Sequence, residues 1–137
     1  MKSLANRTYV VGVWVLVAAV LVQFLLAGLG IFADGSFLGI HATVGAALIL
    51  VLSILLVIAG RLGGVPGRTL WLTASVAGLV LLQSLLLFPY HLNATGILRA
   101  ISSLHVLNAL LVFYVSLQLL ERAQAMRRLW APPDSPA

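Results

Sequence analysis

Four apolar runs, each long enough to cross a bilayer and nearly free of charge, constrain this chain more than any other feature. They lie at about residues 9–32, 37–59, 70–88 and 100–120 of 137. At about 1.5 Å per residue the first, Tyr9 to Phe32, rises about 36 Å as a helix, enough to span roughly 30 Å of hydrocarbon with some tilt. With 62% hydrophobic and 8% charged residues and a mean hydropathy of +1.14, the chain does not have water as its main solvent. The predicted fold is all-α, an up-down-up-down four-helix bundle in one transmembrane domain over residues 1–128. The remaining residues, 129–137, with three prolines, are expected to be a disordered tail. A cleaved signal peptide is disfavoured, because a signal core is usually only about 7–15 apolar residues long. No separate soluble catalytic domain fits beside the spans.

The formal charge of +5 describes topology rather than nucleic-acid binding. Lys2, Arg7, Arg61, Arg68, Arg122, Arg127 and Arg128 fall at one end of such a bundle, and only Arg99 at the other. The positive-inside rule then puts both termini in the cytoplasm, and the Asp34 turn and the Tyr90–Leu98 loop outside. Trp71 and Trp130 take belt positions near the inner boundary. Arginine outnumbers lysine seven to one, the usage of a GC-rich genome, so a bacterial inner membrane is the expected location. In that setting Asn93-Ala94-Thr95 is a chance sequon. The absence of cysteine excludes disulfides, thiolate metal sites and cysteine nucleophiles.

The two halves echo each other. Leu21-Val22-Gln23-Phe24-Leu25-Leu26 matches Leu81-Leu82-Gln83-Ser84-Leu85-Leu86 at an offset of 60, and His41 with Gly45 matches His105 with Ala109 at an offset of 64. The additional residues are assigned to the longer second outer loop. Two hairpins in the same orientation, related by a pseudo-two-fold axis along the membrane normal, are the implied architecture.

The repeating polar residues share a depth. His41 lies about 6 Å and His105 about 9 Å below the outer ends of their helices, with Gln83 and Gln23 at roughly 10 and 13 Å. An unpartnered polar side chain in hydrocarbon is costly, so these residues should point into the bundle. The second and fourth helices are diagonal neighbours, so inward His41 and His105 would face each other across the core. Opposed imidazoles at matched depth suit a six-coordinate haem iron. Gly45 and Ala109, one turn below each histidine, leave space for a flat ring. Arg99 could meet the haem propionates, and Asn108 could bond a ligand or a neighbouring helix.

Two other readings stay open. The same His and Gln side chains could hydrogen-bond across helices in a cofactor-free scaffold or accessory subunit, or they could handle protons or substrate. A channel is disfavoured, because no acid accompanies the two histidines in the core. A quinone or another hydrophobic ligand would suit the same residues as haem b. His91, after Pro89 and Tyr90, is expected to be solvated. Asp34 and Glu121 are lone acids without a second carboxylate for acid–base work. No Ser-His-Asp set, phosphate loop or zinc pattern is present, so the chain reads as a binding protein more readily than as an enzyme.

The histidine pattern resembles one four-helix half of a haem A synthase over about residues 10–122, with His41 in HATVGAAL and His105 in HVLNALL at the ligand positions. The chain also resembles small bacterial four-span membrane proteins that carry Gln-x-x-x-Ala-Gly on the first helix, here Gln23 to Gly28. The synthase resemblance implies haem binding, with electron transfer to a membrane redox partner, haem delivery or sensing as roles, and leaves a homodimer open. It does not extend to oxidation of a haem methyl group. This chain has one bundle, no cysteine, and a first outer loop too short for the acidic element the synthases carry there.

Overall fold

In a computed structural model that describes residues 2–130, the four runs form four helical columns. Column one is α1, Lys2–Phe32. Column two is α2 (Ser36–Thr43), a π-helical turn over Val44–Ile49, and α3 (Leu50–Gly63). Column three is α4 (Gly67–Leu86), continued by the short α5 (Phe88–His91). Column four is α6 (Gly96–Ile101) and α7 (Leu104–Trp130). The stretches Leu4–Phe32, Ser36–Gly63, Gly67–His91 and Gly96–Leu129 are each long and apolar enough to cross a membrane, so the chain is a multi-pass membrane protein. Both α1 and α4 pack against α3 and α7. That makes α1 and α4 one diagonal of the bundle, and the second column and α7 the other.

Each column buries one seam with alternating steps of four and three residues, the spacing of a left-handed bundle. The seams are Tyr9, Val13, Leu16 and Val20 on α1; Ile49, Ser53, Leu56 and Gly60 on column two; Thr69, Thr73, Val76 and Val80 on α4; and Val112, Ser116, Leu119 and Ala123 on α7. Large apolar side chains such as Trp14, Leu55, Leu81 and Leu110 face outward, where lipid solvates them. Lipid is as apolar as leucine, so close packing and hydrogen bonds hold the columns together. Thr73 donates its only hydroxyl proton to the Thr69 carbonyl at 2.8 Å, so the buried Tyr9 hydroxyl must be the donor to Thr73 Oγ1, also at 2.8 Å. This bond ties α1 to α4 across the diagonal at the end of the bundle that carries most of the arginines. Ser53 and Ser116 each bond the carbonyl four residues back, at 2.7 and 2.8 Å, which leaves neither hydroxyl orphaned in the core.

The repeat runs the length of the bundle. On α1 and α4 the offset is 60 from Val13 and Thr73 to Gln23 and Gln83. On columns two and four it is 63 for the deep pairs Ile49/Val112, Ser53/Ser116 and Leu56/Leu119, yet 64 for His41/His105. The π turn holds the extra residue. In a regular α-helix one added residue would rotate everything beyond it by about 100°; the wider π turn absorbs it and returns His41 to the inward face.

Several boundaries differ from the sequence expectation, and α1 starts at Lys2 rather than at about Tyr9. The loop expected from Gly60 begins later, because α3 continues to Gly63. It ends in a Schellman cap, with Gly64 at φ 77° and the Val65 and Gly64 amides donating to the Gly60 and Arg61 carbonyls. α7 runs well beyond Leu120, because its buried seam continues through Ala123 and Met126 while Glu121, Arg122, Arg127 and Arg128 ride on its exposed face. Leu129 and Trp130, assigned to the tail, are helical, and the rest of the expected disordered tail, 131–137, lies outside the described residues. The outer loop between the third and fourth columns is partly helical, and breaks where Asn93 and Gly96 take φ of 53° and 60°. At the first outer turn the Ser36 amide and hydroxyl bond the Asp34 carboxylate and hold its pKa below the ordinary value.

Candidate functional site

Toward the arginine end Tyr9, Leu56, Thr73 and Leu119 are buried in the core, whereas the other end of the bundle is hollow. Between the columns at the histidine end lies a cavity of about 310 Å³, lined among others by Gln23, His41, Gly45, Gln83, His105 and Ala109. This is the low end of the range for small-molecule sites, roughly 300–1,000 Å³. Its walls are otherwise mostly apolar, with Val20 and Val80 from the symmetric seams of α1 and α4 among them.

The histidine rings face each other across the diagonal with centroids 6.2 Å apart and planes at 64°. Each ring is held the same way. His41 Nδ1 lies 3.0 Å from the Gln23 carbonyl oxygen, and His105 Nδ1 lies 3.2 Å from that of Gln83. A carbonyl can only accept, so Nδ1 carries the proton in both rings, and in a neutral ring this leaves the lone pair on Nε2. A carbonyl on Nδ1–H is also the usual means of orienting a metal-binding imidazole.

The glutamine side chains break the symmetry. Gln83 Nε2 donates to the His105 carbonyl at 3.0 Å, and its Oε1 accepts from Asn108 Nδ2. Asn108 also donates to the Leu79 carbonyl at 2.8 Å, so it clamps α7 to α4. The position equivalent to Asn108 in the first half is Val44, which offers no such bond. Gln23 is only 8% exposed, and both its Oε1 and its Nε2 lack a hydrogen-bond partner in the protein. Beside it Gly45 leaves room that a side chain would take, since an added Cβ would stand 2.9 Å from Gln23 Oε1. The first half of the cavity therefore has an unpartnered glutamine amide, whereas the Gln83 amide of the second half is bonded at both ends.

Two of the expected residues do not line the cavity. Arg99 is exposed, with its guanidinium 5.3 Å from the Tyr90 ring centroid. Asn108 is buried and takes the second of its two expected roles, bonding a neighbouring helix. His91, expected only to be solvated, lines the mouth of the cavity while its ring packs against Tyr90 at 5.6 Å. The sequence signal that could have found it is that α5 continues the column of Gln83.

No group of three or more His, Cys, Asp or Glu able to hold a metal ion occurs among the described residues. His41 and His105 together offer two nitrogens, and a haem iron would bring four of its own. The two free Nε2 atoms, the orphaned Gln23 amide and the space beside Gly45 fit such a group.

The model of a family of unknown function (DUF6220) matches residues 23–90. The match begins at Gln23 and takes in His41, Gly45 and Gln83, leaving His105 beyond its end. No curated protein and no solved structure shows a significant match.

Proposed function

We propose that this protein binds haem b between His41 and His105 and serves electron transfer or haem handling near the outer surface of a bacterial inner membrane. The observation that carries the reading is the diagonal histidine pair with both Nδ1 atoms committed to carbonyls. Two imidazoles that share one metal at about 2 Å through Nε2 have ring centroids roughly 6 Å apart, close to the 6.2 Å found. When bound, the haem would supply a one-electron carrier. His41 and His105 would hold the iron, the Gln23 and Gln83 carbonyls would fix the ring orientations, and the apolar walls would exclude water. Seven basic residues at the opposite end support cytoplasmic termini.

A cofactor-free scaffold is the second reading, and the second half favours it, because Gln83 bonds both the His105 carbonyl and Asn108 and accepts from His105 Nδ1. It leaves Gln23 unexplained. Absorption spectra of the detergent-purified protein, made with haem precursor supplied, test the proposal: a Soret band with sharp reduced α and β bands is expected, and a colourless protein would reject it.

A further inference from the structure

At the arginine end, far from the cavity, a second concavity opens on the outer surface between α4 and α7. It has a volume of about 630 Å³ and is lined by Arg68, Trp71, Leu72, Ser75 and Arg122. Two guanidiniums reach it from two different helices, Trp71, 79% exposed, forms an apolar wall, and the Ser75 hydroxyl donates to the Leu72 carbonyl within α4. The surrounding field is strongly positive. Lys2, Arg7, Arg61, Arg68, Arg122, Arg127 and Arg128 share this end with Glu121 as the one acid, a net +6 over the described residues.

The ligand follows from the chemistry. Paired guanidiniums match the oxygens of a phosphate, which they can bind through forked hydrogen bonds. Trp71 sits where an aromatic ring marks the boundary between headgroups and hydrocarbon. From the groove, the apolar outer faces of α4 and α7 continue into the membrane, a path for acyl chains. We propose that this groove binds the phosphate of an anionic phospholipid in the leaflet at the arginine end. Basic pockets between transmembrane helices on the positive side of a protein are suited to such headgroups.

The test compares the delipidated full-length protein with Arg68→Gln/Arg122→Gln by native mass spectrometry. Phosphatidylglycerol and phosphatidylcholine are titrated separately, with inorganic phosphate as competitor. Trp71→Ala serves as a second variant, because its exposed side chain can be removed without disturbing the core, and Lys2→Gln/Arg7→Gln controls for charge alone. The wild type should prefer phosphatidylglycerol, and the double arginine variant should bind it about 25-fold more weakly, about fivefold for each guanidinium removed. Trp71→Ala should weaken both lipids, and the charge control should keep the preference. Equal binding of the two lipids by the wild type would overturn the proposal, as would an equal loss in the charge control, which would mean a diffuse field. Displacement of the lipid by millimolar phosphate would mean that the site takes a soluble anion.

Discussion

Ser53 and Ser116 are pseudo-symmetry mates 63 positions apart, each bonded to the carbonyl four residues before it, while the histidines above them are 64 apart. The π turn between Gly45 and Ile49 accounts for the difference, and gives an asymmetric prediction. Deleting Ala46 leaves three steps from Gly45 to Ile49, the number from Ala109 to Val112, and should give a regular helix with His41 still inward. Deleting Leu110 should rotate His105 by about 100° off the inward face. Thermal unfolding in detergent should show the first deletion near wild type and the second strongly destabilised; equal damage from both would refute the register account.

The bond across the other diagonal can be tested from each end. Tyr9→Phe removes a donor and leaves Thr73 bonded to Thr69, so it should cost about 0.6–2 kcal/mol. Thr73→Val strands the buried Tyr9 hydroxyl, and should cost more, about 1–3 kcal/mol. Denaturant titration in mixed micelles would rank the two, and the reverse order would mean that the donor assignment is wrong.

The unequal glutamines predict opposite outcomes for one substitution. Gln83→Leu removes one acceptor of the Asn108 amide, which keeps its bond to the Leu79 carbonyl, and a donor to the His105 carbonyl, and should destabilise by about 0.6–2 kcal/mol. Gln23→Leu removes an amide with no partner, and should stabilise the ligand-free protein by about 1 kcal/mol. The same change should weaken haem retention if that amide meets the ligand. Unfolding and haem-transfer assays on both variants would separate the two effects.

The four spans, the diagonal placement of the even helices and the pairing of His41 with His105 were legible because apolar length and a polar repeat are properties of sequence. The inner ends depart from the apolar runs because helix formation does not require apolarity: Gly60 to Gly63 continue α3 because the cap falls at Gly64, and α7 carries its charged residues on an exposed face. The offset of 64 at the histidines does not by itself reveal the π turn; its sequence signal is the offset of 63 between the polar Ser53 and Ser116. Arg99, expected near the haem propionates, lies over Tyr90 and outside the cavity lining; its place in the sequence does not specify rotation about the helix.

Gly45 offers a way to close the cavity without touching the histidines. Its added Cβ meets the movable end of Gln23, so Gly45→Ala should be nearly neutral. Gly45→Leu should fill the space and exclude a flat ligand while the bundle still folds. Circular dichroism and thermal melts check the fold, and ligand retention on a sizing column checks the exclusion; full retention by Gly45→Leu would put the ligand elsewhere.

The most direct test of the central claim is the oxidised and dithionite-reduced absorption spectrum of the wild type beside His41→Ala and His105→Ala, with haem supplied in expression and folding checked by circular dichroism. The account predicts sharp reduced α and β bands in the wild type that both substitutions abolish. A folded wild type without a Soret band, or bands unchanged in either variant, would contradict it.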